Sequence, residues 1–173
     1  MQANDSSTGQ APAQAAMADI ERAMRNGANW FYWIAGLSMV NSIVAAFGSE
    51  VNFVVGLGVT QIIDSLAGVA KDESTGGTPT AVRAVALGLD AVVAAVLVVI
   101  GRFANKRHGW AFIIGMLLYS LDALIFLVFQ VWMNVAFHVF ALFGMAKGYS
   151  SLKKILAFEA QNSLNNPTAD VFR

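Results

Sequence analysis

Three aspartates and a histidine stand in stretches of sequence otherwise made of aliphatic and aromatic residues. Asp64 lies in "LGVTQIIDSLAG", Asp90 in "LGLDAVV", Asp122 in "YSLDALIF" and His138 in "NVAFHVF". Carboxylates gathered away from water repel one another and lose hydration, so such a group shares protons near neutrality, where an imidazole also exchanges them. With amide and hydroxyl oxygens nearby, the same groups suit a hard cation such as sodium, magnesium, calcium or manganese. Helical spacing supplies those oxygens. Gln61 precedes Asp64 by one turn on nearly the same face, and Thr60 lies four residues before it. Tyr119 and Asp122 share a face, as do Asn134 and His138, while Asn41 and Ser38 of the first span are expected nearer the opposite surface, continuing a polar path.

The surrounding composition says what must position these groups. The chain has 173 residues, 57% hydrophobic and 13% charged, with apolar blocks approaching the roughly 20 residues that span a bilayer core. These features predict an all-α fold, a polytopic membrane helix bundle of about five transmembrane helices with short loops. The spans are expected at 28–48, 51–70, 81–103, 109–129 and 131–149. The last two form one apolar run too long for a single crossing, so a tight turn is expected between Gln130 and Asn134. Residues 1–16 read as a flexible polar tail, 17–27 as a short interfacial helix, 150–160 as an amphipathic helix on the membrane surface and 161–173 as a frayed tail. The third helix, crowded with alanine, is expected to be central, because small residues let helices approach closely in lipid.

Counting depth at about 1.5 Å per residue from the amino-terminal side puts Asp64, Asp90, Asp122 and His138 about 9 to 13 Å into their spans. Four ionisable groups in one layer could meet inside the bundle. An aspartate at the centre of a membrane helix costs roughly 2.5 to 3.5 kcal/mol on insertion scales, a cost that usually accompanies function. The alternative is structural, since buried polar side chains also bind membrane helices to one another. For His138, between Phe137 and Phe140, a packing role is the stronger alternative. The Gly144 and Gly148 pair in "GMAKG" reads as a close helix contact rather than a dimer seam.

Other chemistry is poorly supplied. The chain has no cysteine, two histidines and a formal charge of zero, and it lacks a nucleophile elbow, a zinc-binding histidine helix and a phosphate-binding glycine loop. No enzyme activity, no cofactor and no nucleic-acid partner are expected. The expected partners are the lipid bilayer and a proton or small cation, with a second copy of the chain or another membrane protein left open. A proton- or cation-coupled transporter, channel or sensor is the functional expectation, and a membrane scaffold or accessory subunit the alternative. Short loops and small size point to a bacterial inner membrane. Trp30, Trp33, Trp110 and Trp132 fall near expected span ends, and five spans with these basic loops put the amino terminus outside and the carboxyl terminus in the cytoplasm.

Overall fold

The computed structural model describes residues 6–46, 57–73 and 79–165, apart from some side chains that include those of Asp64, Lys71 and Arg83. All secondary structure among these residues is helical: α1 (Ser6–Ala46), α2 (Gly58–Glu73), α3 (Pro79–Asn105), α4 (Gly109–Val128) and α5 (Trp132–Asn165). Among the described residues two segments are long and apolar enough to cross a membrane, Ala84–Asn105 and Gly109–Val128. Only 33% of each is buried. A core helix of a soluble protein would be mostly covered. Here Val85, Leu89, Val92 and Val99 of α3 and Ile113, Leu117, Leu121 and Leu124 of α4 remain exposed.

The two long helices revise the expected boundaries. α1 continues through the stretch read as tail and interfacial helix, and α5 continues through the segment read as a surface helix. Packing explains both. Met17 and Ile20 lie partly buried against the core, and Leu152 and Ile155 are buried within it, so these residues pack against protein, while Leu156 stays exposed. Residues 1–5 and 166–173 of the two expected tails lie outside the described residues.

The core is built on close approach. Met24, Ala28, Phe31 and Ala35 form a buried stripe at helical spacing on α1. α1 packs against α3, α5 and α2, while α3 packs against α1, α2 and α4. A Cβ on Gly148 would stand 2.6 Å from Gly27 Cα and 3.1 Å from the Met24 carbonyl oxygen, so α1 and α5 touch through their backbones. The Trp30 ring occupies the space beside Gly144. The glycine pair therefore forms a seam inside one chain.

Two hairpins connect α3, α4 and α5 without glycine at the turning residue. Arg107 has φ 67° and Gln130 has φ 57°. In the first turn the Arg107 N–H donates to the Ala104 carbonyl and the His108 N–H to that of Phe103. In the second, Gln130 N–H donates to Leu127 and Val131 N–H to Phe126. Each pattern is a Schellman cap, which takes up carbonyls that the ending helix leaves without partners.

Ion pairs show which ends lie together. Arg107, in the α3–α4 turn, contacts Glu21 of α1 at 3.2 Å and Glu159 of α5 at 2.8 Å. The early part of α1 and the late part of α5 thus share one end of the bundle.

Candidate functional site

α2 starts inside the fold. Its first N–H groups lack partners within the helix, as at any helix start, and Leu57 at the N-cap position has no side-chain oxygen to accept from them. Other helices supply the acceptors. Leu57 N–H donates to Ser38 Oγ at 3.0 Å. Gly58 N–H donates to Asp122 Oδ2 at 2.8 Å, and Val59 N–H to Asp122 Oδ1 at 3.0 Å. Thr60 Oγ1 donates to the Leu57 carbonyl at 2.9 Å, closing the first turn. Ser38 precedes the end of α1 by about 12 Å and Asp122 the end of α4 by about 9 Å, at 1.5 Å per residue. The α2 amino terminus is therefore held at that depth.

Gly58 permits the approach. A Cβ there would stand 3.0 Å from the Phe126 ring and 3.2 Å from Ile125, so even a methyl group would require these α4 side chains to give way. A carboxylate at this position also meets the partial positive charge of the helix start, an interaction that reaches about 2 kcal/mol in partly buried settings.

His138 completes the arrangement. Its Nε2 lies 2.9 Å from Asp122 Oδ2, and its Nδ1 lies 2.7 Å from the Asn134 carbonyl oxygen. A carbonyl only accepts, so Nδ1 carries a proton. The contact between Nε2 and Oδ2 then needs one more proton, held as imidazolium with carboxylate or as imidazole with carboxylic acid. His138 is 0% exposed and Asp122 6%. The Tyr119 ring stacks on the imidazole at 4.3 Å between centroids, and Phe126 lies at 5.1 Å.

The other expected site residues are spread over α1, α2, α3 and α5. Asp90 is fully buried on α3 and Asn41 is buried on α1, and neither stands free in the bundle. Thr60 and Asn134 are buried, serving the α2 start and the histidine. Gln61 is part-buried, and its Nε2 has no hydrogen-bond partner among the described residues. The side chain of Asp64 lies outside the described residues. Among the described residues no group of three or more histidine, cysteine, aspartate or glutamate side chains is placed to hold a metal ion. Of the four expected ionisable groups, Asp122 and His138 meet directly.

Sequence reasoning missed the backbone donors of Gly58 and Val59 and the acceptor role of Ser38. The available signal was "GLG" at Gly56 to Gly58, a break in helix propensity inside an apolar block. The chain matches no family model, no curated protein and no solved structure.

Proposed function

We propose that the chain is an integral membrane helix bundle in which the Asp122–His138 pair is a proton-linked coupling centre, serving a proton sensor or a proton-coupled transporter. The observation that carries this reading is the α2 amino terminus inside the fold, held by a carboxylate that also meets a buried imidazole. Helix starts buried at membrane depth occur where backbone is enclosed by protein or lines a cavity, a feature of transporter sites. If one proton leaves, the imidazole keeps a single N–H for two acceptors, the Asn134 carbonyl and Asp122 Oδ2, and one of the two contacts loses its hydrogen bond. Proton loss thereby rearranges the hydrogen bonds of the histidine that meets the carboxylate holding α2.

In this reading α1, α3, α4 and α5 cross the membrane and α2 enters part-way. The end carrying Arg25, Lys106, Arg107 and Lys153 faces the cytoplasm, as short basic segments do, bringing the amino-terminal part of α1 to that side as well. The scaffold reading has one observation in its favour. Both Asp122 oxygens already accept hydrogen bonds, which suits a pair that only fastens helices.

Infrared difference spectra of the reconstituted protein across pH, assigned with Asp122→Asn and His138→Gln, separate the two. Under the proton-linked reading, carboxyl and imidazole bands change in one pH step, and the Gly58 and Val59 amides exchange faster in the same step. Bands and amide exchange indifferent to pH would leave the scaffold reading.

A further inference from the structure

Beside Asp122, a cleft of about 350 Å³ opens between the start of α2, α3 and α4. Its walls are almost wholly aliphatic, with Val59 from α2, Val93, Val96 and Leu97 from α3, and Leu118 and Ile125 from α4. Two lining residues are polar, Tyr119 and Asp122, three apart in sequence and so on one face of α4. Tyr119 is 1% exposed, and its hydroxyl has no hydrogen-bond partner among the described residues. A buried phenol normally finds a partner, because leaving the hydroxyl unmet costs the full desolvation of the group. Asp122 Oδ1 accepts from Val59 N–H, while Oδ2 accepts from Gly58 N–H and meets His138. A carboxylate oxygen takes two hydrogen bonds, so Oδ1 retains capacity for one donor.

We propose that this cleft binds a neutral, largely aliphatic molecule with a single hydroxyl head. The ligand hydroxyl accepts from Tyr119 and donates to Asp122 Oδ1, and its hydrocarbon body lies along the valines and leucines. Charge decides against an ammonium head. The Asp122–His138 pair with its shared proton is neutral overall, so a cation in the aliphatic cleft would have no counter-charge and would bear its desolvation cost alone. The volume lies at the small end of ligand pockets, which run from about 300 to 1,000 Å³, and so favours a short or partly inserted chain. Exposed Val96, Leu118 and Leu121 border the cleft, giving entry from the side of the bundle. The proposal relies on the membrane reading only for this route of entry.

The probe is an octanol bearing a diazirine, added to the reconstituted full chain and crosslinked by light, with adducts located by mass spectrometry. Adducts are expected within residues 57–59, 93–97 and 118–125, suppressed by unlabelled octanol and not by octane. Tyr119→Phe should weaken octanol competition about two- to tenfold, the range for losing one hydrogen bond. Val96→Phe, at a half-exposed wall position, should abolish these adducts while circular dichroism shows an unchanged helix content. Adducts spread evenly over the apolar surface, or competition equal in wild type and Tyr119→Phe, would overturn the proposal. Site-specific labelling with pH-indifferent infrared bands would retain the ligand site and remove the proton-linked reading. The converse pattern would remove the ligand site alone.

Discussion

Asp122 of α4 and His138 of α5 meet at 2.9 Å through Oδ2 and Nε2, and the same aspartate accepts the first two N–H groups of α2. One side chain thus joins three helices, and its chemistry sets their mutual position.

Asp122→Asn should loosen the start of α2 while leaving the fold intact. Asparagine offers one acceptor oxygen where aspartate offers two, so either Gly58 or Val59 loses its partner, at a cost of about 1 to 3 kcal/mol. Amide exchange at Gly58 and Val59 should accelerate relative to residues late in α2. Unchanged exchange at both amides would show that Asp122 does not hold them.

The α1–α5 seam should reject even a methyl group. Gly148→Ala places a Cβ against Gly27 Cα and the Met24 carbonyl, backbone atoms that move only if the helices separate, and overpacking of this kind costs about 1 to 3 kcal/mol. Gly36→Ala is the control. Nothing lies within 4 Å of a Cβ there, so it should be neutral or stabilise by up to about 1 kcal/mol through helix propensity. Thermal midpoints in detergent compare the two, and equal midpoints would refute the close seam.

Gln130→Gly should stabilise the α4–α5 hairpin. A side chain in the left-handed conformation costs roughly 1 to 2 kcal/mol, a strain that glycine lacks, although glycine returns part of the gain as freedom in the unfolded chain. A midpoint at or below that of wild type would contradict this account of the turn.

The ionic cluster at the basic end should respond to acid. Glu21 is held below the usual carboxylate range by its hydrogen bond to Arg25 and then by Arg107. A carboxylate with a lowered folded-state value contributes stability that is present above its unfolded value of 4.5 and is lost as pH falls through the folded value. The thermal midpoint at low salt should therefore drop below about pH 4.5, and salt should blunt the drop because Glu21 is solvent-exposed. Arg107→Ala should flatten this part of the curve. A variant with the full wild-type acid response would show that Arg107 takes no part.

Much of the pair was legible because α4 and α5 are antiparallel about Gln130, and Asp122 and His138 are equidistant from it in sequence. Counting depth along apolar runs therefore put them in one layer. The start of α2 was hidden for a physical reason. Residues before Gly58 are as apolar as those after it, and Leu57 carries no capping side chain because its caps come from Ser38 and Asp122 on other helices. The long continuations of α1 and α5 were obscured differently. Their charged faces resemble those of helices lying on a membrane, and only tertiary contacts reveal Leu152 and Ile155 buried in the core.

The capping of α2 by a residue 64 positions downstream also orders the making of the protein. When α2 leaves the ribosome, its leading amides have Ser38 but not yet Asp122, so this helix start stays unfinished until α4 arrives. Assembly of the amino-terminal half then waits on the carboxyl-terminal hairpin. Nascent chains arrested before and after α4 has emerged should differ in protease protection near Gly58, and equal protection would show that α2 settles without Asp122.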